Sequence, residues 1–96
     1  MYHGPWASLK KATPKTPVEF MCYLQSIVPN LCEEDLIRVR RSERSIIWVH
    51  DVCDFIWVCM QPDRERWSPQ IERMWPNILG IIESQNLEDA FVGLSI

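Results

Sequence analysis

The sequence predicts an all-α domain, a compact bundle of four or five short helices that follows an N-terminal arm. Two segments begin with a helix-capping residue followed by proline and continue with apolar residues at helical spacing. Between them lies one very apolar segment, residues 46–60, and the turns that a sheet would need there lack Gly, Asn and Pro. A chain of 96 residues with 47% hydrophobic and 24% charged residues is typical of one globular domain.

Residues 1–15 are rich in Pro, Lys and small residues and show no periodicity, so they are interpreted as an extended or flexible N-terminal arm. We expect residues 16–96 to form a single helical domain. Its first helix begins at Thr16, which can cap the helix, with Pro17 at the first helical position and Glu19 three residues after the cap. This helix is predicted to end at Pro29.

The second helix is predicted to begin at Asn30, which can serve as its cap, with Glu33 three residues on. Acidic residues near its start and arginines near its end are favourably placed for the helix dipole. Ser45 can cap a third helix over residues 46–60. The alternative is an α+β fold with a small antiparallel sheet from residues 36–60, because β-branched and aromatic residues are frequent there.

The third predicted helix is more apolar than its core contact requires. At about 100° per residue, one wide apolar face forms the predicted core; it contains Trp48, Val49, Val52, Phe55, Ile56 and Cys59. Four further apolar residues lie within or beside the opposite polar strip: Ile46, Ile47, Trp57 and Val58. This surplus predicts either a central helix or a second face that binds a partner.

A polar connector, residues 61–66, precedes the last long helix. That helix is predicted to begin at Ser68 and Pro69 and to extend to about Gln85. Pro76 lies inside it and predicts a kink or two abutting helices. Asn86 can cap a short final helix.

Catalytic and metal sites receive little support from the residue pattern. Cys22, Cys32, His50 and Cys53 include only one pair with short spacing, whereas zinc needs four converging ligands. His50 and Cys53 can touch on one helix face, but a nucleophilic site also needs an oxyanion hole and a cleft. We therefore predict no enzyme activity, no metal and no cofactor.

The alternative function is nucleic-acid binding. The first 44 residues carry seven basic and five acidic residues, whereas the rest carry three basic and eight acidic ones. A net charge of -3 argues against non-specific binding of nucleic acid by the whole chain. The candidate phosphate-binding residues are Lys10, Lys11, Lys15, Arg38, Arg40, Arg41 and Arg44.

The favoured function is a non-catalytic protein-protein interaction module, such as an adaptor, a regulator or an assembly factor. Five tryptophans are more than a core of this size easily encloses, so some should lie at the surface and bind a protein partner. We expect a homodimer or a regulatory complex, because a symmetric interface needs one patch only. The candidate partner-binding residues are Ile46, Ile47, Trp57, Val58, Trp67 and Trp75.

The expected location is intracellular, with cytoplasm and nucleus not distinguished. The sequence begins without the apolar region of a signal peptide, and its four cysteines are then interpreted as reduced thiols. The apolar segment 46–60 is too short and too charged to predict a membrane span.

Overall fold

The computed structural model describes residues 13–41 and 47–85, without the side chain of Ile27. Within these ranges the chain forms four helices: α1 (Pro17–Ile27), α2 (Glu33–Arg40), α3 (Ile47–Cys59) and α4 (Arg64–Ser84). The predicted all-α fold is confirmed, and the alternative sheet is wrong, because residues 36–41 and 47–60 contain no strand. The predictions for residues 1–12 and for a short helix after Asn86 lie outside the described residues.

The start of α1 follows the sequence signal. Thr16 is the N-cap, and its hydroxyl accepts a hydrogen bond from the backbone N–H of Glu19 at 3.2 Å. The Glu19 carboxylate accepts a bond from the backbone N–H of Lys15 at 2.7 Å. The carboxylate therefore binds one residue before the cap, where a standard capping box would bind the cap itself.

The second helix begins two residues later than predicted. Its N-cap is Cys32, and the predicted cap Asn30 lies instead in the turn after α1. The Asp35 carboxylate explains the shift, because it accepts bonds from the Cys32 backbone N–H at 3.0 Å and from the Cys32 thiol at 3.4 Å. The side-chain acceptor at the third helical position is therefore Asp35, which takes the role expected for Glu33.

The central segment is one helix, α3, which packs between α2 and α4. Its buried face supplies Val49, Val52, Phe55 and Ile56, each no more than 1% exposed. This is the apolar face predicted by helical projection, with Trp48 half-buried at its edge. The core also receives residues from the other helices: Phe20, Met21, Leu24, Leu36, Val39, Ile71, Ile78, Ile81 and Ile82.

The last helix begins at Arg64, one turn before the predicted start at Ser68. Trp67 explains the extension, because its indole N–H donates to the Asp63 carboxylate at 3.1 Å and its ring packs against the core. Pro69 and Pro76 lie inside one continuous helix, so the alternative of two abutting helices is wrong. Each proline removes one backbone donor from the helical ladder.

Three aromatic rings join α1, α3 and α4. The Phe55 ring centroid lies 6.1 Å from that of Phe20 and 5.6 Å from that of Trp75, and the Phe20 and Trp75 centroids are 6.2 Å apart. The Trp75 indole N–H also donates to the Lys15 carbonyl at 3.3 Å. This cluster holds the chain before α1 against α4.

Within residues 13–41 and 47–85, none of the helices combines the length and the apolar character that a membrane span requires.

Candidate functional site

A groove between α2 and α3 is the candidate functional site. It has a volume of about 320 Å³. Its exposed apolar lining residues are Ile37, 40% exposed, and Trp57, 37% exposed. Buried Leu36 and Cys53 also line the groove. The groove is further lined by charged residues, namely Glu33, Arg40 and Asp54.

We call the exposed apolar side chains of Ile37 and Trp57, with the neighbouring Trp67 ring, the α2–α3 surface.

The Trp57 ring is held in place by its neighbours. It meets the ring of Trp67 edge to face, with centroids 5.8 Å apart and planes at 81°, an arrangement that aromatic rings favour. The Trp67 indole N–H is in turn bonded to Asp63. The Gln61 side chain donates to the Trp57 carbonyl at 2.8 Å and fixes the end of α3. An exposed tryptophan that is already ordered loses little conformational entropy when it binds a partner.

A second concave region adjoins Ile37. This pocket has a volume of about 620 Å³, and its described lining residues are Glu34, Ile37, Arg38 and Arg41. They follow the spacing i, i+3, i+4 and i+7, so they lie on one face of α2 and its last turn. Ile37 therefore lies between the groove and this pocket and connects them.

Ion pairs neutralise part of the charge near the groove. Arg40 and Asp54 form a salt bridge of 2.9 Å that joins α2 to α3, with both side chains about half-exposed. Arg38 pairs with Asp35 within α2. The backbone N–H of Cys32 lowers the pKa of Asp35 below its ordinary value, and Arg38 adds to this effect. Asp35 is thus a stable anion at neutral pH.

The predicted partner-binding residues divide into three groups. Ile47, 83% exposed, and Trp57 lie at the surface as predicted, whereas Ile46 lies outside the described residues. Val58 is only 6% exposed, so its predicted surface position is wrong and it belongs to the core. Trp67 and Trp75 are half-buried against the core.

Trp75 was predicted to bind a partner at the surface, but its contacts are made within the protein. Its ring packs on Phe20 and Phe55, and its N–H binds the Lys15 carbonyl. Because its ring and its polar atom are both engaged inside the protein, we assign Trp75 a structural role.

The predicted basic cluster is only partly described. Lys10, Lys11 and Arg44 lie outside the described residues. Arg38 and Arg40 are engaged in the ion pairs with Asp35 and Asp54. Of the described arginines in the predicted cluster, Arg41 is left without an ion pair in the described part of the chain.

Ile37 is the site residue that sequence reasoning missed. The buried stripe of α2 consists of Leu36 and Val39, and Ile37 lies about 100° away from Leu36 around the helix. The sequence does contain an indication that Ile37 lies at the surface, because it is an apolar residue outside the core stripe of a short, highly charged helix.

The buried cysteines are poorly suited to nucleophilic chemistry. Burial raises the pKa values of both Cys53 and Cys59 to about 11. At neutral pH both therefore carry a proton, whereas the thiolate is the reactive form. Among the described residues, no group of three or more His, Cys, Asp or Glu side chains is arranged to hold a metal ion.

Comparison of the chain with protein-family models, with curated proteins and with solved structures finds no match.

Proposed function

We propose that this protein is a non-catalytic protein-protein interaction module that self-associates through the α2–α3 surface. The observation that supports the proposal is that Ile37 on α2 and Trp57 on α3 are both exposed and both line one groove. Both side chains are more than one-third exposed, although the core of the same bundle is densely apolar. A role as adaptor, regulator or assembly factor is consistent with this surface.

The composition of the surface supports a protein partner. Binding hot spots are enriched in tryptophan and arginine, and they lie in concave regions surrounded by polar residues. Here Trp57 and Ile37 supply the apolar centre, and Arg40 and Asp54 supply a charged edge. The Trp57 ring is also ordered by Trp67 before any partner binds.

Nucleic-acid binding has less support. Phosphate binding depends on cations that are free to replace counterions. Arg38 and Arg40 already pair with carboxylates of the same chain, and Glu33 and Glu34 lie on the same short helix.

Sedimentation velocity from about 10 to 500 µM tests the proposal, a range that covers weak to moderate affinity. We expect wild-type protein to show concentration-dependent dimerisation. We expect Trp57→Ala and Ile37→Ser to weaken it at least about tenfold, as expected for hot-spot residues.

Val18→Ala is the matched control, because Val18 is an exposed apolar residue on α1, outside the α2–α3 surface. It should leave dimerisation unchanged, and far-UV circular dichroism should show that all three variants fold. A wild-type protein that stays monomeric throughout this range contradicts self-association.

A further inference from the structure

The exposed stripe of α2 has opposite charges at its two ends. Glu34 lies in the first turn and Arg41 follows the last residue of the helix, with Ile37 and Arg38 between them. All four line the pocket of about 620 Å³. A face of this kind is acidic at one end, apolar near the middle and basic at the other end.

Within residues 13–41 and 47–85, the charges at the two ends of this stripe have no ion-pair partner. Arg38 pairs with Asp35, and Arg40 pairs with Asp54. Glu34 and Arg41 are exposed, and neither forms an ion pair with another described residue. In the described part of the chain, both side chains are thus exposed and unpaired.

We propose that the partner at this surface is a second copy of the chain, whose α2 packs antiparallel to α2 of the first about a two-fold axis near Ile37. This inference rests on the proposed function and specifies its geometry. An axis between Ile37 and Arg38 places Glu34 of each copy opposite Arg41 of the other. A parallel pairing would instead place like charges together.

Two-fold symmetry doubles the number of favourable contacts in this arrangement. In a two-fold interface each contact occurs twice, so one Glu34–Arg41 match yields two ion pairs. The axis brings the two Ile37 side chains to the centre of the interface, beside the Arg38 side chains, whose charges are paired with Asp35 of the same chain. The Glu34–Arg41 pairs lie towards the edge, where charged residues of interfaces are typically found. The adjoining groove places Trp57 beside the same centre, because Ile37 lines both concave regions.

Charge reversal tests the arrangement. Glu34→Arg alone and Arg41→Glu alone each create two like-charge contacts in a homodimer. We expect each to weaken self-association at least about tenfold. An equimolar mixture of the two variants restores both attractive contacts, so we expect a heterodimer whose affinity is within about threefold of wild type. Formation of the heterodimer also shows that both variants are folded.

Glu83→Arg and Arg66→Glu are the controls, because these exposed residues lie on α4, outside the stripe. They should leave self-association unchanged, alone or mixed. If wild type dimerises and depends on Trp57, but the Glu34 and Arg41 variants have no effect or the mixture fails to associate, the antiparallel arrangement is wrong and the proposed function stands. A monomeric wild type overturns both.

Discussion

Replacing Phe55 with leucine should destabilise the domain by about 1 to 3 kcal/mol. Phe55 is fully buried, and its ring centroid lies 6.1 Å from Phe20 and 5.6 Å from Trp75. Leucine retains most of the buried apolar area but removes both ring pairs, each of which contributes about 0.5 to 1.5 kcal/mol beyond burial. The total stability expected for a domain of this size is roughly 5 to 15 kcal/mol.

Urea unfolding followed by far-UV circular dichroism measures this loss. We expect a lower midpoint with an unchanged slope, and a melting temperature lower by about 4 to 8 °C for each kcal/mol. A double-mutant cycle of Phe20→Leu with Phe55→Leu should give a coupling energy of about 0.5 to 1.5 kcal/mol.

The matched control for the cycle is Ile47→Ala combined with Phe55→Leu. Ile47 is 83% exposed on the same helix, so the two effects should add. A Phe55→Leu variant within about 0.5 kcal/mol of wild type would refute the assignment of the ring cluster as the junction of α1, α3 and α4.

Two further predictions concern the α2 cap and the thiols. Asp35→Ala should cost about 1 kcal/mol at neutral pH, as measured by urea unfolding, because the Asp35 carboxylate accepts the bond from the N–H of the N-cap residue Cys32. The pKa of Asp35 is lower in the folded state than its ordinary value. Its contribution to the free energy of unfolding is therefore present above about pH 4 and is lost as pH falls through the folded value. If the difference in stability between wild type and Asp35→Ala grew on acidification, this reasoning would be contradicted. At about pH 8, DTNB should modify two exposed thiols quickly and two buried thiols only after urea is added, because access and thiolate content control the reaction. The fast pair is Cys22 and Cys32, and the slow pair is Cys53 and Cys59. Four thiols that react at one rate would show that the core opens readily.

Sequence periodicity was enough to predict the helices of this fold, and local capping chemistry decided where they begin. Thr16 and Pro17 marked the start of α1 correctly, since the Thr16 hydroxyl and the Glu19 N–H that donates to it are only three residues apart in sequence. The start of α2 was mistaken because several acidic residues follow one another, and only the structure shows that Asp35 binds Cys32. The start of α4 was placed one turn too late, because the packing of Trp67 against the core, which accompanies its bond to Asp63, involves other helices and is not revealed by a local pattern.

The candidate site could be predicted only in part for a related reason. Helical projection around α3 identified Ile47 and Trp57 as surplus apolar residues, and both are exposed. A projection of one helix does not show which of its surplus apolar residues the neighbouring helices cover. The projection of α3 therefore placed Val58 at the surface, although this residue is buried. Ile37 escaped notice because it lies on a different helix, and the groove exists only where α2 meets α3.

The pair of indole rings at the surface also makes the protein an optical reporter of its own binding. Trp57 and Trp67 lie 5.8 Å apart at 81°, which is close enough for their electronic transitions to couple. A molecule that covers Trp57 changes the environment of one member of this pair and thereby the signal of both. Ultraviolet circular dichroism and intrinsic fluorescence can therefore follow occupancy of the surface in unlabelled protein.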